Sequence, residues 1–475
     1  MSEQAISYST DFHDLLCGGL YTALIFLTGY AVLCTAFKAG VRHWLEIPGF
    51  SFAAGAGVVS LVLFFASLAG AKPSRLILFC VGIAAVTLLI FNWRKKGGLL
   101  QPSVPAPRRK FDALALLSMV SVSVLLLAVC NVSARAGWPP LYNIDSFAIW
   151  MFKAKWVFIQ PLRPIPPEFH DLILSYSHQD YPLSFPFLVA GLCTAVGRFD
   201  ERLIKILFLP IYLSLIAVMY SVIRRIHRRA TALIIAAIFA TAPTLAQNAG
   251  FAVAETPLIL AYTCALAMLL RWMEAGENGC LPLAGLFATM AAFTKNEGLA
   301  LLPVLCVAAL IGAVASQNHQ RFKQAFAAAC VCGVAIGPWL VFRAQLPKTH
   351  EDYGGKLTSV STVLHNLPRL KYVLGEFLGR CFNLRSAGLI WVVLIVVAGV
   401  GWRGFGRRTV WVLWSILAVQ LMFYVGTFVV TPWKLEELVP MISGKLLAQA
   451  SPVAALLIGM HLRSTRWPVV GDSEN

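Results

Sequence analysis

Apolar runs of about 17 to 23 residues recur along the chain between short polar connections, and this rhythm restricts its fold more than any single motif. As an α-helix, a run of that length crosses roughly 30 Å of hydrocarbon, and none of the runs alternates as a barrel strand would. The expected fold is an all-α polytopic membrane protein. Composition agrees, because 13% of the 475 residues are charged, against about 25% in a soluble globule. Spans are predicted near 15–37, 50–70, 76–92, 111–130, 203–222, 230–248, 257–273, 281–294, 299–315, 325–344, 386–402, 409–430 and 444–462, about thirteen in all. The first residues carry Glu3, Asp11 and Asp14 where a basic leader would be expected, so the first span is read as part of the mature protein.

The net charge of +17 follows from short basic clusters between spans, with no continuous stripe and no nucleic-acid motif. Arg94 to Lys96 with Arg108 to Lys110, Arg224 to Arg229, Arg403 with Arg407 and Arg408, and Arg463 with Arg466 fall on one side if the N-terminus lies outside and the C-terminus inside. That scheme requires the run 183–196, only about fourteen residues and interrupted by Pro186, to be a re-entrant or surface helix. Long outer loops are then expected at 131–202 and 345–385. The predicted organisation is an N-terminal three-helix unit at 1–97, a Pro-rich inner linker at 98–110, a membrane unit at 111–462 and an inner tail at 463–475. The first three spans carry no functional reading. The cysteines, 11 in number, lie mostly in or beside apolar runs and form neither a disulfide framework nor a metal spacing.

Chemistry-bearing residues gather at the outer ends of spans. Asp145 stands about fifteen residues beyond a span and just before an aromatic run with Lys153 and Lys155; such a carboxylate can take a proton from a hydroxyl at headgroup depth, or can cap a helix. The segment 146–160 is expected to be an interfacial helix with Phe147, Trp150, Met151, Ala154 and Phe158 on one face. His178, Asp180 and Tyr181 precede the short helix, where they read as a binding group, a metal half-site or a Pro-led helix start. Glu255 sits at the mouth of a span; Lys295 and Glu297 break two spans within a few residues, and a lysine there suits a phosphate. Trp433 lies in the last outer connection. Lys445 and Gln449 share one face of the last span, four residues apart.

In this order and on one side, these pieces resemble the GT-C superfamily of integral-membrane glycosyltransferases, which includes protein O-mannosyltransferases and the lipid A aminoarabinose transferase. The resemblance covers roughly 110–460. It is carried by Asp145 in a first large loop, Asp180-Tyr181-Pro182 before a short helix, Glu255-Thr256-Pro257-Leu258, and Thr294-Lys295-x-Glu297-Gly298. The end of the chain, Trp433-Lys434-Leu435 to Ser443-x-Lys445-Leu446-x-x-Gln449-x-x-Pro452, is similar to a pattern among bacterial members. Glu255 replaces a frequent Asp, and Lys434 and Lys445 replace His and Arg, so a bidentate grip on phosphate is not expected from them.

The resemblance implies an inverting transfer of sugar from a polyprenyl-phosphate-linked donor to a hydroxyl on a lipid, glycan or protein. Asp145 would be the general base, with Asp180 able to exchange roles with it, and Lys295 and Lys445 would balance charge on the departing phosphate. Glu255 and Asp180 would shape the acceptor side. No cofactor is required and a divalent metal is optional. The resemblance also implies a place in cell-envelope glycan biosynthesis at the inner (plasma) membrane, with the site facing the periplasm or exterior. The alternative is a transporter or flippase of lipid-linked sugars, which would place ionisable residues near mid-span rather than at span ends.

Overall fold

A computed structural model describes residues 12–37, 44–100, 113–137, 143–277, 279–347 and 353–463. Most of the 98–110 linker, Tyr142, Glu351, Asp352 and nearly all of the 463–475 tail lie outside the described residues, as do Arg108 to Lys110 and Arg466. Among the described residues the regular elements are all helical: α1 (Phe12–Ala36), α2 (Glu46–Leu68), α3 (Arg75–Lys96), α4 (Ala113–Gly137), α5 (Phe152–Ile159), α6 (Ser184–Val196), α7 (Glu201–Ile204), α8 (Phe208–Arg224), α9 (Arg229–Ala240) and α10 (Pro243–Ala249). They continue as α11 (Glu255–Ala275), α12 (Cys280–Thr294), α13 (Asn296–Ala315), α14 (His319–Arg343), α15 (Tyr353–Thr358), α16 (Val360–Asn366), α17 (Leu370–Phe382), α18 (Ile390–Val400), α19 (Arg408–Val429) and α20 (Leu435–Leu462).

The protein is an integral multi-pass membrane protein, and each predicted span falls on helix. Among the described residues, ten helices are long and apolar enough to cross a membrane, counting α7 and α8 as one continuous rod, and the bent pair α9 and α10 makes an eleventh if it is one span. The remaining two expected spans are the shorter apolar helices α12, of 15 residues, and α18, of 11. Both fall below the roughly 20 residues that cross a bilayer unaided. The 71° bend between α9 and α10 falls where Pro243 opens the second helix, because proline can start a helix but cannot continue one.

Two expectations need correction. Of the two readings of α6, re-entrant or surface helix, burial excludes the second: every residue from Ser184 to Val196 except Ala195 is buried. Pro186 occupies its third position, where the missing N–H would have had no intrahelical partner. The segment after Asp145 also differs from the expected interfacial face. Asp145–Met151 is a π-helix that runs into α5, and Phe152 donates its N–H to the Phe147 carbonyl five residues back. That wider turn rotates the following side chains. Trp150, Met151, Lys153, Ala154 and Val157 therefore point into the protein while Phe147 stays exposed.

The N-terminal helices are built into the same continuous core as the rest. A Cβ on Gly29 would stand 1.7 Å from the Ser51 carbonyl oxygen, so α1 and α2 touch backbone to backbone where no side chain intervenes. Tyr21 on α1 donates to the Leu188 carbonyl of α6 at 2.9 Å. Arg75 on α3 donates to the Thr194 and Val196 carbonyls at 3.3 and 3.2 Å, closing the exposed end of α6.

At one end of the bundle, residues of the basic clusters are tied to acids and to helix-end carbonyls. Arg225 makes paired 2.8 Å bonds to both oxygens of Glu46 and reaches Glu277 at 3.4 Å, and Arg271 contacts Glu46 and Glu277. Arg463 pairs with Glu274 on α11, and Thr409 on α19 donates to the same carboxylate at 2.6 Å. Lys96 donates to the last carbonyls of α1. The clusters read from the sequence as sharing one side do meet, among the described residues, at one end.

Candidate active site

The opposite ends of α6, α11, α12, α13 and α14 meet the π-helix and the first half of α20. Asp145 opens the π-helix but its carboxylate does not cap it; Asn143 Oδ1 accepts the Asp145 N–H at 2.9 Å instead. The carboxylate reaches across 300 residues of sequence to Lys445, Oδ2 to Nζ 2.5 Å, with the two side chains 33% and 22% exposed. This ion pair opens toward solvent. Lys445 can face the loop because it sits about three turns into α20, well past that helix's polar start.

Behind this pair, Lys295 lies between two carboxylates, 3.0 Å from Glu255 Oε1 and 2.8 Å from Glu297 Oε1. Gln449 donates to Glu297 Oε1 at 3.5 Å. Lys295 is the extended residue that separates α12 from α13, so the break in the apolar pattern is what turns its side chain to Glu255. Burial alone would push its ammonium down, but the Glu255 and Glu297 charges outweigh burial and hold it well above the usual lysine range.

The third group is Asp180, whose Oδ2 accepts from Arg343 at 2.9 Å and from Asn296 Nδ2 at 3.5 Å. Asp180 Oδ1, Asn296 Oδ1 and Glu255 Oε2 are buried with no protein partner among the described residues. Such acceptors call for hydroxyl or ammonium donors. His178, in a left-handed turn at φ 50°, stacks on Tyr181 with ring centres 4.5 Å apart. Its carbonyl accepts from Lys153 at 2.9 Å, and the Lys153 ammonium lies 4.9 Å from the Trp150 ring centre and 5.1 Å from that of Tyr181.

The structure thus gathers Asp145, Lys153, His178, Asp180, Tyr181, Glu255, Lys295, Glu297, Lys445 and Gln449 at one end of the bundle. Lys155 is exposed, two residues from Lys153 and so on the far face of α5, and Trp433 is exposed in the last connection, just before α20. Arg343 escaped the sequence reading, and Asn296 stands in the span-breaking turn without a predicted role. An arginine closing an apolar span looks like a headgroup anchor, and only the fold reveals its partner. No group of three or more His, Cys, Asp or Glu side chains that could hold a metal occurs among the described residues.

Residues 161–350, less than half of the chain, match the family profile described as Dolichyl-phosphate-mannose-protein mannosyltransferase. They include Asp180, Glu255, Lys295, Glu297 and Arg343. That profile describes a GT-C family of membrane glycosyltransferases, and the match supports reading the chain as an enzyme of this type. No curated protein and no solved structure matches the chain. A glycosyltransferase of this type draws its sugar from a polyprenyl-phosphate carrier.

Lys153 ties α5 to the loop that bears Asp180 through its bond to the His178 carbonyl. Burial lowers its ammonium to about 7, with the Asp180 charge pulling it part of the way back. Below that value the folded protein must carry a buried charge, while the unfolded chain keeps the lysine protonated up to about 10.5. The unfolded state binds more protons between these limits, so stability rises with pH from about 7 toward 10. Melting temperature measured from pH 6 to 9.5 is expected to show this gain in the wild type and to lack it in Lys153→Met.

Proposed function

We propose that the protein transfers a sugar from a polyprenyl-phosphate-linked donor to a hydroxyl acceptor on the outer, periplasmic face of the inner (plasma) membrane, with inversion. The carrying observation is the Asp145–Lys445 pair: a carboxylate that caps nothing, open to solvent, and matched to a cation on another helix. The acceptor oxygen attacks the anomeric carbon while its proton passes to Asp145. The carbon–oxygen bond to phosphate breaks and its electron pair leaves with the polyprenyl phosphate. That leaving group is already a stable anion, so neither a general acid nor a metal is required.

Lys445 links the two substrates. In the free enzyme it neutralises Asp145; an arriving phosphate competes for the ammonium and leaves the carboxylate free to act as base. Lys295, already held by two carboxylates, is the second cation beside the departing phosphate. Asp180 with Arg343 and Asn296, together with Glu255, offers unpartnered acceptor oxygens suited to the hydroxyls of the acceptor. Acceptors to try are a peptide bearing Ser or Thr, as the family description suggests, a membrane lipid and a glycan. The outer placement is supported by the basic clusters at the bundle's other end. Residues 111–462 form the catalytic unit in this reading, with the helices of 1–97 bracing α6.

Lys445→Met tests the exchange of partners. Assayed in nanodiscs with a radiolabelled polyprenyl-phosphate sugar, it is expected to raise the donor KM about tenfold or more and to lower kcat, since the phosphate contact it removes is present in the ground state and strengthens as charge builds on the departing phosphate. A donor KM equal to that of the wild type would remove Lys445 from the phosphate. Movement of lipid-linked sugar across the bilayer without transfer would replace the reading with transport.

A further inference from the structure

A thread of polar side chains leads from the site into the apolar interior of the bundle. Tyr262, two turns below Glu255 on α11, donates its O–H to Gln420 Oε1 at 3.1 Å. Gln420 Nε2 donates to the Tyr424 oxygen at 2.8 Å, and Tyr424 O–H donates to Gln449 Oε1 at 2.9 Å. Gln449 Nε2 then donates to Glu297 Oε1 at 3.5 Å. All four thread residues are at most 1% exposed. Every bond runs in the same sense, toward the carboxylate.

We infer that Tyr262, Gln420 and Tyr424 are positioning residues that, through Gln449, fix Glu297 and hence Lys295 beside the leaving phosphate. This rests on the transfer reading above. Bonds between helices that served only as packing glue would need no common direction. Donors aligned head to tail polarise one another, and here their positive ends sum at an anion. The thread joins α11, α19 and α20, which enclose the site from below. Glu297, Lys295 and Glu255 are the charged groups at its upper end, and Tyr262 and Tyr424 are the only titratable members of the thread itself.

Tyr424→Phe keeps the ring and removes one donor. The probe is undecaprenyl phosphate binding to the full chain in nanodiscs, with sugar transfer measured alongside. Expected are about tenfold weaker binding of this product lipid, a similar fall in kcat and a donor KM within about threefold of the wild type, the pattern of an interaction made mainly with the departing phosphate. Combined with Glu297→Gln it should add no further loss, because both changes break one unit. Tyr262→Phe, at the far end, gives a smaller effect of the same kind and serves if Tyr424→Phe does not fold. Wild-type binding in both tyrosine variants, whatever their melting temperatures, overturns the inference, and so does full additivity with Glu297→Gln. If the wild type binds undecaprenyl phosphate but transfers no sugar, the binding results still decide the thread, while the role of Asp145 falls.

Discussion

Asp145→Asn is expected to lower sugar transfer by roughly 10²- to 10⁴-fold, the range that a positioned general base contributes. Asparagine keeps the size and polarity of the side chain but cannot accept the proton. It also releases Lys445, whose partner is now neutral, so donor binding should hold or tighten. The measurement is transfer from a radiolabelled polyprenyl-phosphate sugar in nanodiscs, with donor binding followed separately. Asp180→Asn makes the necessary comparison. It removes the charge that faces Arg343 and should raise the acceptor KM more than it lowers kcat. Transfer that survives in Asp145→Asn but disappears in Asp180→Asn would exchange the two roles.

The second large effect concerns stability at the other end of the bundle. Glu46→Gln leaves Arg225 and Arg271 buried, at 1% and 3% side-chain exposure, with half of their charge unmatched. Removing one partner of a buried ion pair costs about 3–5 kcal/mol. A clear drop in melting temperature is therefore expected, with transfer by the folded fraction at low temperature unchanged. Replacing Glu46 and Arg225 together by leucine should recover part of the loss, because two apolar groups leave fewer charges stranded. A Glu46→Gln protein as stable as the wild type would show that Glu277 alone satisfies both arginines.

The ends of the helices were far more legible in the sequence than their faces. Asp145, Asp180, Glu255, Lys295 and Lys445 stand out because a charge in an apolar pattern is conspicuous and because helix ends of one parity must meet. The faces were hidden, since lipid is as apolar as a protein core and a lipid-exposed span reads like a buried one. Helix α4 and helix α11 both read as spans, yet the first is mostly exposed and the second mostly buried. For the same reason Tyr262, Gln420 and Tyr424 read as ordinary span residues, and the sequence leaves α6 as either a re-entrant or a surface helix. The π-helix after Asp145 was invisible because its extra residue leaves no mark on composition.

Helix α2 connects the two polar ends through a single rod. Glu46 at its start holds Arg225 in the charge network, and Ser67 near its end accepts the Leu162 N–H at 2.8 Å, at the foot of the loop that carries Asp180. Twenty-three helical residues span about 35 Å, close to the thickness of a bilayer's apolar interior. The loop over the site is thereby suspended from an anchor at the opposite end of the bundle, so its distance from that anchor is set by the length of one helix.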